Sequence, residues 1–267
     1  MKSPIILALL FATTFGVQAS ANPKTELAAD ASHADAKPLV FDAILRDGAA
    51  GDEATTAELQ TALKTGNAIV LDARAYEEYA VSHIPGAKAI PGKPGLPPSL
   101  YTADVNAVLS ATPDKNQPII VYCNGLNCGR SRRFADELIK AGYQNVHRYQ
   151  LGVPGWRALG GVMQIEKPAL LELLAADKTA VLVDARETTG RKPALRNAKN
   201  IPLAEASKAK DDGRLPMTDH NTRIFVVGNS GAQARAVGEA LVHDAFHNVT
   251  FYDGSIGELK ELHTTHQ

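Results

Sequence analysis

Short, unbroken apolar runs recur along this chain. They alternate with segments whose apolar residues fall at helical spacing. Ala68-Ile69-Val70-Leu71 and Pro118 to Val121 are such runs, each bounded by turn-forming residues, and Val146 to Tyr149 reads as another short strand. Continuous rather than alternating apolar runs predict strands buried on both faces, hence a mainly parallel sheet flanked by helices. Thr55-Thr56-Ala57-Glu58 predicts a helix start, with a threonine cap and an acidic first turn. Leu59, Ala62 and Leu63 form that helix's apolar face, and Gly66 ends it. Another helix is predicted near Ala103 to Leu109. A third is predicted over Phe134 to Ala141, stopped by Gly142. Leu39-Val40-Phe41 adds a short strand, and Glu77-Glu78-Tyr79 reads as a polar segment.

The same order then repeats. Lys167 to Leu174 matches the helix before the first strand, and Ala180 to Arg186 repeats Ala68 to Arg74, including an Asp-x-Arg strand end. Asn197 to Pro202 repeats Gly86 to Pro91. Arg223 to Val227 repeats the run before Cys123, and Ala234 to Ala245 repeats the helix after it. Asn248 to Gly254 repeats Asn145 to Gly152. Two copies of a unit of roughly 100 residues make a tandem protein. The expected domains are residues 55–163 and 164–267, after a leader and extension over 22–54.

Residues 1–21 carry Lys2, an apolar stretch from Pro4 to Val17, and Ala19-Ser20-Ala21 as a small-x-small cleavage site. This is the pattern of a secretory signal peptide cut after Ala21, and the apolar stretch is shorter than the about 20 residues a membrane anchor needs. The expected location is the periplasm or the exterior, where disulfides persist. No later stretch is apolar enough to span a bilayer. The formal charge of −1 argues against general nucleic-acid binding. Two cysteines cannot form a disulfide scaffold for 267 residues, which leaves a reactive Cys123 standing against a merely buried, structural one.

Both cysteines lie in Cys123-Asn124-Gly125-Leu126-Asn127-Cys128-Gly129-Arg130-Ser131. Cys123 ends a predicted strand, and a glycine-bearing loop leads into a predicted helix. A helix N-terminus carries unpaired N–H groups and partial positive charge, and Arg130, Arg132 and Arg133 stand beside it. That setting lowers a thiol's pKa and holds an anion. The candidate nucleophile is Cys123. The candidate anion donors are the N–H groups of Asn124, Gly125, Leu126, Asn127, Cys128, Gly129 and Arg130, with Gly125 and Gly129 allowing a tight curl. The Arg130 side chain is a candidate for the donor anion, and Arg132 and Arg133 read as a solvated helix face. Read from the residues, Cys128 is inert or a disulfide partner of Cys123. With four residues between them, a curled loop can bring the Cα atoms within the roughly 4.4–6.8 Å required.

The Asp72-x-Arg74 strand end, His83-Ile84-Pro85-Gly86-Ala87, the strand ending in Cys123, the following helix and Gly152-x-x-x-Trp156 together resemble the rhodanese family of sulfurtransferases. The resemblance covers nearly all of residues 55–262 as two copies. It implies two α/β rhodanese-like domains and a Cys123 persulfide, which gives Cys128 a third reading, as the attacker of that persulfide. In such an enzyme a sulfane sulfur moves from a small anion such as thiosulfate to a thiol or cyanide acceptor. It also implies structural roles for Asp72, Arg74 and His83, and packing of Trp156 near the active loop. Nothing in it calls for a metal or nucleotide cofactor. His263 and His266 read as a frayed tail. The loop is two residues longer than the common Cys-x-x-Gly-x-Arg-Ser form and is closest to a Cys-Asn-Gly-x-x-Cys variant. In the second copy Gly228 takes the cysteine position, so that domain is expected to be catalytically silent. The well-known tandem enzymes keep their cysteine in the second domain, so their interdomain geometry does not transfer. Two alternatives stay open. One is a redox-sensing or binding module, docked to a periplasmic protein partner, with a Cys123–Cys128 disulfide. The other is a cysteine phosphatase or arsenate reductase, whose usual Cys-x5-Arg spacing is missed by one residue, since Gly129 precedes Arg130.

Overall fold

A computed structural model of the chain describes residues 52–97, 100–187, 195, 197–244 and 246–259. The signal-peptide pattern, the Leu39–Phe41 strand, His263 and His266 lie outside these residues. Two parallel sheets flanked by helices form within one compact unit.

In the first domain the elements are α1 (Thr56–Thr65), β1 (Ile69–Asp72), α2 (Tyr76–Val81), β2 (Lys88–Ala89), α3 (Val105–Ala111), β3 (Ile119–Tyr122), α4 (Gly129–Lys140), β4 (Val146–Tyr149) and α5 (Gly152–Ala158). The strand order is β2-β1-β3-β4, with every pairing parallel. The second domain contains β5 (Met163–Ile165), α6 (Lys167–Ala176), β6 (Val181–Asp184), β7 (Lys199–Asn200), a 3-10 turn (Leu203–Lys208), β8 (Ile224–Gly228), α7 (Gly231–His243) and β9 (Val249–Ser255). Its order is β5-β9-β8-β6-β7, again parallel. Glu53 bridges Arg148 beside β4, in the place that β5 takes beside β9. Met163–Ile165, which a boundary at residue 163 would divide, therefore lies wholly in the second sheet.

Local chemistry sets the helix ends. The Thr55 side chain accepts from the Glu58 N–H while Glu58 accepts from the Thr55 N–H, and Gly66 closes α1 at φ 69°. Helix α3 starts two residues later than its apolar pattern suggests. Asp104 accepts the Asn106 N–H at 3.0 Å and caps it, while Ala103 is used in a bridge to Gly92. Helix α2 is an addition, because the polar segment at 77–79 is helical.

Strand β3 is buried on both faces, which is why its sequence does not alternate. Ile120 and Tyr122 join Leu59, Tyr149, Leu151 and Trp156 on one side. Ile119 and Val121 join Phe134, Leu138 and Tyr143 on the other. With both faces gripped, the end of β3 is a fixed platform for whatever follows Tyr122.

His83 lies where the two domains meet. Its backbone exchanges hydrogen bonds with Gln164 at 2.9 Å each way, and its ring stacks on Tyr79 at 3.8 Å between centroids. Nδ1 is 2.9 Å from the Tyr79 carbonyl. Nε2 is buried with no hydrogen-bond partner among the described residues, and Glu166 Oε1, 3.8 Å away, is too distant for one. Burial therefore dominates and pushes the imidazole down to about 4. The ring is a neutral packing element.

Candidate active site

Cys123 follows the last residue of β3 and is 1% exposed. The chain then turns at Gly125, where φ is 98°, and the Cys128 N–H donates to the Gly125 carbonyl at 2.9 Å. Helix α4 begins at Gly129 with Cys128 as its N-cap, and among the described residues no side chain caps it. Cys123 and Cys128 are joined by a disulfide, with Cα atoms 6.3 Å apart. Of the three readings of Cys128, the bonded one is the state seen here.

Gly125 is required by its positive φ, since a side chain there would be strained whatever the space. Gly129 is different. It is the first helical residue, its φ is not positive, and a Cβ there would meet open space. The curl is made at Gly125, and the backbone at Gly129 does not call for glycine. The more stringent glycine is Gly152, at φ 58°. A Cβ there would sit 2.2 Å from the Cys123 carbonyl oxygen and 2.5 Å from the Gly125 nitrogen. The start of α5 thus presses on the loop, and the Val153 N–H donates to the Cys123 carbonyl at 3.1 Å. Leu126 anchors the loop inward, packing against the cluster that holds Trp156. The indole N–H of Trp156 donates to the Val162 carbonyl at 2.9 Å.

The polar residues of the loop converge on Glu78 of α2. Asn124 Nδ2 donates to Glu78 Oε1 at 2.6 Å, and Arg130 donates to Glu78 Oε2 at 2.5 Å. Partial burial alone would push the carboxyl up. The hydrogen bonds from Asn124 and Arg130 outweigh it and hold Glu78 below the usual carboxylate range. Arg130 also sits over the Tyr101 ring, 5.9 Å from its centroid. Arg130 thus forms an ion pair with Glu78 in this state, while Arg132 and Arg133 are exposed on α4. Asn127 is exposed at the tip.

Asp72 and Arg74 act on the frame of the site. Arg74 donates from Nε and its terminal nitrogen to Asp72 at 2.6–3.1 Å and to the Ser82 carbonyl at 2.6 Å. Both side chains are buried, and Arg74 lies over the Tyr122 ring. The pair ties the end of β1 to the loop before His83 and to the residue preceding Cys123. Arg186 repeats the contacts to Asp184, at 2.7 and 2.9 Å. Its recurrence beside a site without sulfur marks it as structural.

At the second copy β8 ends in Gly228 and α7 starts at Gly231, leaving two residues where the first domain has six. The Gln233 side chain fills the loop, accepting the Asn229 N–H at 2.9 Å. A Cβ on Gly228 would lie 2.9 Å from Gln233 Oε1. No cradle is left there.

Glu78, Tyr101 and Gly152 are the contributors that sequence reasoning missed. Glu78 lies 46 positions before Asn124, and nothing in its local pattern points across the domain. Gly152 was visible as part of a Gly-x-x-x-Trp motif, without a reason for its glycine. Among the described residues no cluster of three or more His, Cys, Asp or Glu could hold a metal, and no helix is long and apolar enough to cross a membrane.

The rhodanese-like domain family matches the chain twice, over residues 55–159 and 167–262. Among solved structures, the BH2092 protein from Bacillus halodurans is 28% identical, covering 42% of this chain and 76% of its own, with a TM-score of 0.36. A rhodanese-like domain from an Anabaena species is 25% identical over 43% of this chain and 79% of its own, with a TM-score of 0.35. A thiosulfate sulfurtransferase from Pseudomonas aeruginosa is 20% identical over 77% of this chain and 41% of its own, with a TM-score of 0.33. No curated protein matches the chain. With two matches that together span most of its length, the chain belongs to the family of proteins built from rhodanese-like domains.

Proposed function

We propose that this protein is an exported sulfurtransferase that carries a sulfane sulfur on Cys123. The observation that carries the reading is the placement of Cys123 at a strand end held from both faces, opening a six-residue loop that leads into a helix N-terminus with no side-chain cap among the described residues. The helix supplies unpaired N–H groups and partial positive charge to the sulfur and to a bound anion. The disulfide is the resting oxidised form in an oxidising compartment, and a thiol reductant must open it first.

In the reduced form the Cys123 thiolate attacks the outer sulfur of a donor such as thiosulfate. The S–S bond of the donor breaks, sulfite leaves with the electron pair, and Cys123 becomes a persulfide. A thiol or cyanide then attacks the outer sulfur and regenerates the thiolate. The Cys128 N–H is spent on the Gly125 carbonyl, so the N–H groups left to receive the anionic charge of donor and leaving group would be those of residues 124–127, 129 and 130. The second domain serves the first by packing, through the His83–Gln164 strand contact.

A redox module is the second reading, favoured by the disulfide itself. Steady-state thiocyanate formation from thiosulfate and cyanide separates the two. The sulfurtransferase reading expects turnover that requires prior reduction and vanishes in Cys123→Ser. Reduced protein with no turnover on thiosulfate, or turnover that survives Cys123→Ser, would refute it.

A further inference from the structure

Cys128 Sγ reaches Cys123 Sγ closely enough to bond within the folded loop. Cys123 is 1% exposed, whereas Cys128 is half-buried at the N-cap of α4. A thiol at that N-cap faces the positive end of a 12-residue helix, which favours its thiolate. There is no third cysteine in the chain to compete as an internal acceptor.

We propose that Cys128 is the built-in acceptor of the Cys123 persulfide, so that the domain releases its sulfur as sulfide. The inference rests on the sulfurtransferase reading for its first half-reaction. The Cys128 thiolate attacks Sγ of Cys123, forming the Cys123–Cys128 bond. The bond from Cys123 Sγ to the outer sulfur breaks, and hydrosulfide leaves with the electron pair. The product is the disulfide form described above. Over one cycle thiosulfate takes two electrons and a proton, giving sulfite and hydrosulfide, while the two cysteines are oxidised. An external dithiol reductant returns the two electrons and resets the site. The protein then acts as a dithiol-dependent reductase of sulfane sulfur. External acceptors such as cyanide compete with Cys128 for the persulfide.

The test is one turnover of fully reduced chain, freed of reductant and mixed with thiosulfate. Sulfite, sulfide, free thiols and intact mass are read together. Wild type is expected to release sulfite and sulfide in equal amounts, about one of each per chain, to lose both free thiols, and to keep no added sulfur. Cys128→Ser is expected to release sulfite alone and to hold one added sulfur that cyanide removes as thiocyanate. Wild type that retains the added sulfur with Cys128 still free overturns the inference and leaves the sulfurtransferase reading intact. No sulfite and no adduct in either protein overturns both.

Discussion

Glu78→Ala tests whether the loop is held from α2. The substitution removes the acceptor for Asn124 at 2.6 Å and for Arg130 at 2.5 Å. A hydrogen bond to a charged group contributes about 1.5–3 kcal/mol when shielded. Here the ion-pair side chains are 36% and 37% exposed, so water takes over part of each role and the lower end of the range must be discounted. About 1–2 kcal/mol in total for the two contacts is the working figure. If that energy orders the loop for attack, single-turnover sulfite release from thiosulfate should slow by about 5–30-fold in reduced protein. The melting temperature should fall by about 2–8 °C. Glu78→Gln keeps an acceptor for Asn124 and should lie between the two. The carboxyl's folded pKa is lowered, so its contribution is fully present above the usual carboxylate range and is lost only as pH falls through the folded value. Rates compared at pH 7 and pH 6 should therefore show the same ratio. A melting loss with an unchanged rate would confine Glu78 to the fold, and no change in either would refute the loop-holding role.

Three further substitutions probe the frame. His83 is neutral and buried, with its pKa at about 4, so the unfolded chain binds the proton more readily between about pH 6.5 and 4. Stability should fall by about 2 kcal/mol between pH 7 and pH 5 on this account, and His83→Phe should flatten that slope in urea titrations; an unchanged slope would contradict it. Gly152→Ala places a Cβ 2.2 Å from the Cys123 carbonyl at a φ of 58°. It should cost about 2–4 kcal/mol and slow disulfide closure, measured by thiol trapping during air oxidation. Gly228→Cys restores sulfur to the second copy, yet its two-residue loop and the Gln233 side chain leave no cradle. In a Cys123→Ser background it should yield no thiocyanate, and recovered turnover would show that the sulfur alone was missing.

What the sequence carries well is whatever is local. The apolar runs of β1, β3 and β6 need burial on both faces, and the cap pair Thr55 and Glu58 with Gly66 sets α1 by contacts three to four residues apart. The Asp-x-Arg ends are local too, because each arginine folds back two positions onto its aspartate. What it hides is whatever depends on a distant element. Strands β2 and β7 have two residues each and exist only because β1 and β6 offer an edge. Glu78 looks like any acidic residue of a polar segment until Asn124 and Arg130, 46 and 52 positions later, meet it. The backbone pairing of His83 with Gln164 comes from the second domain, far along the chain. Cys128 is intermediate. Its spacing from Cys123 permits a bond, and only the curl at Gly125 brings the sulfurs together.

The central claim is that Cys123 carries sulfur as a persulfide. Reduced Cys128→Ser protein, in which no internal thiol can remove the sulfur, is incubated with thiosulfate, and the digested protein is mapped by mass. The account predicts one added sulfur on the peptide holding Cys123, absent from Cys123→Ser and released by cyanide as thiocyanate. An unmodified Cys123 peptide after exposure to both thiosulfate and inorganic polysulfide would contradict it.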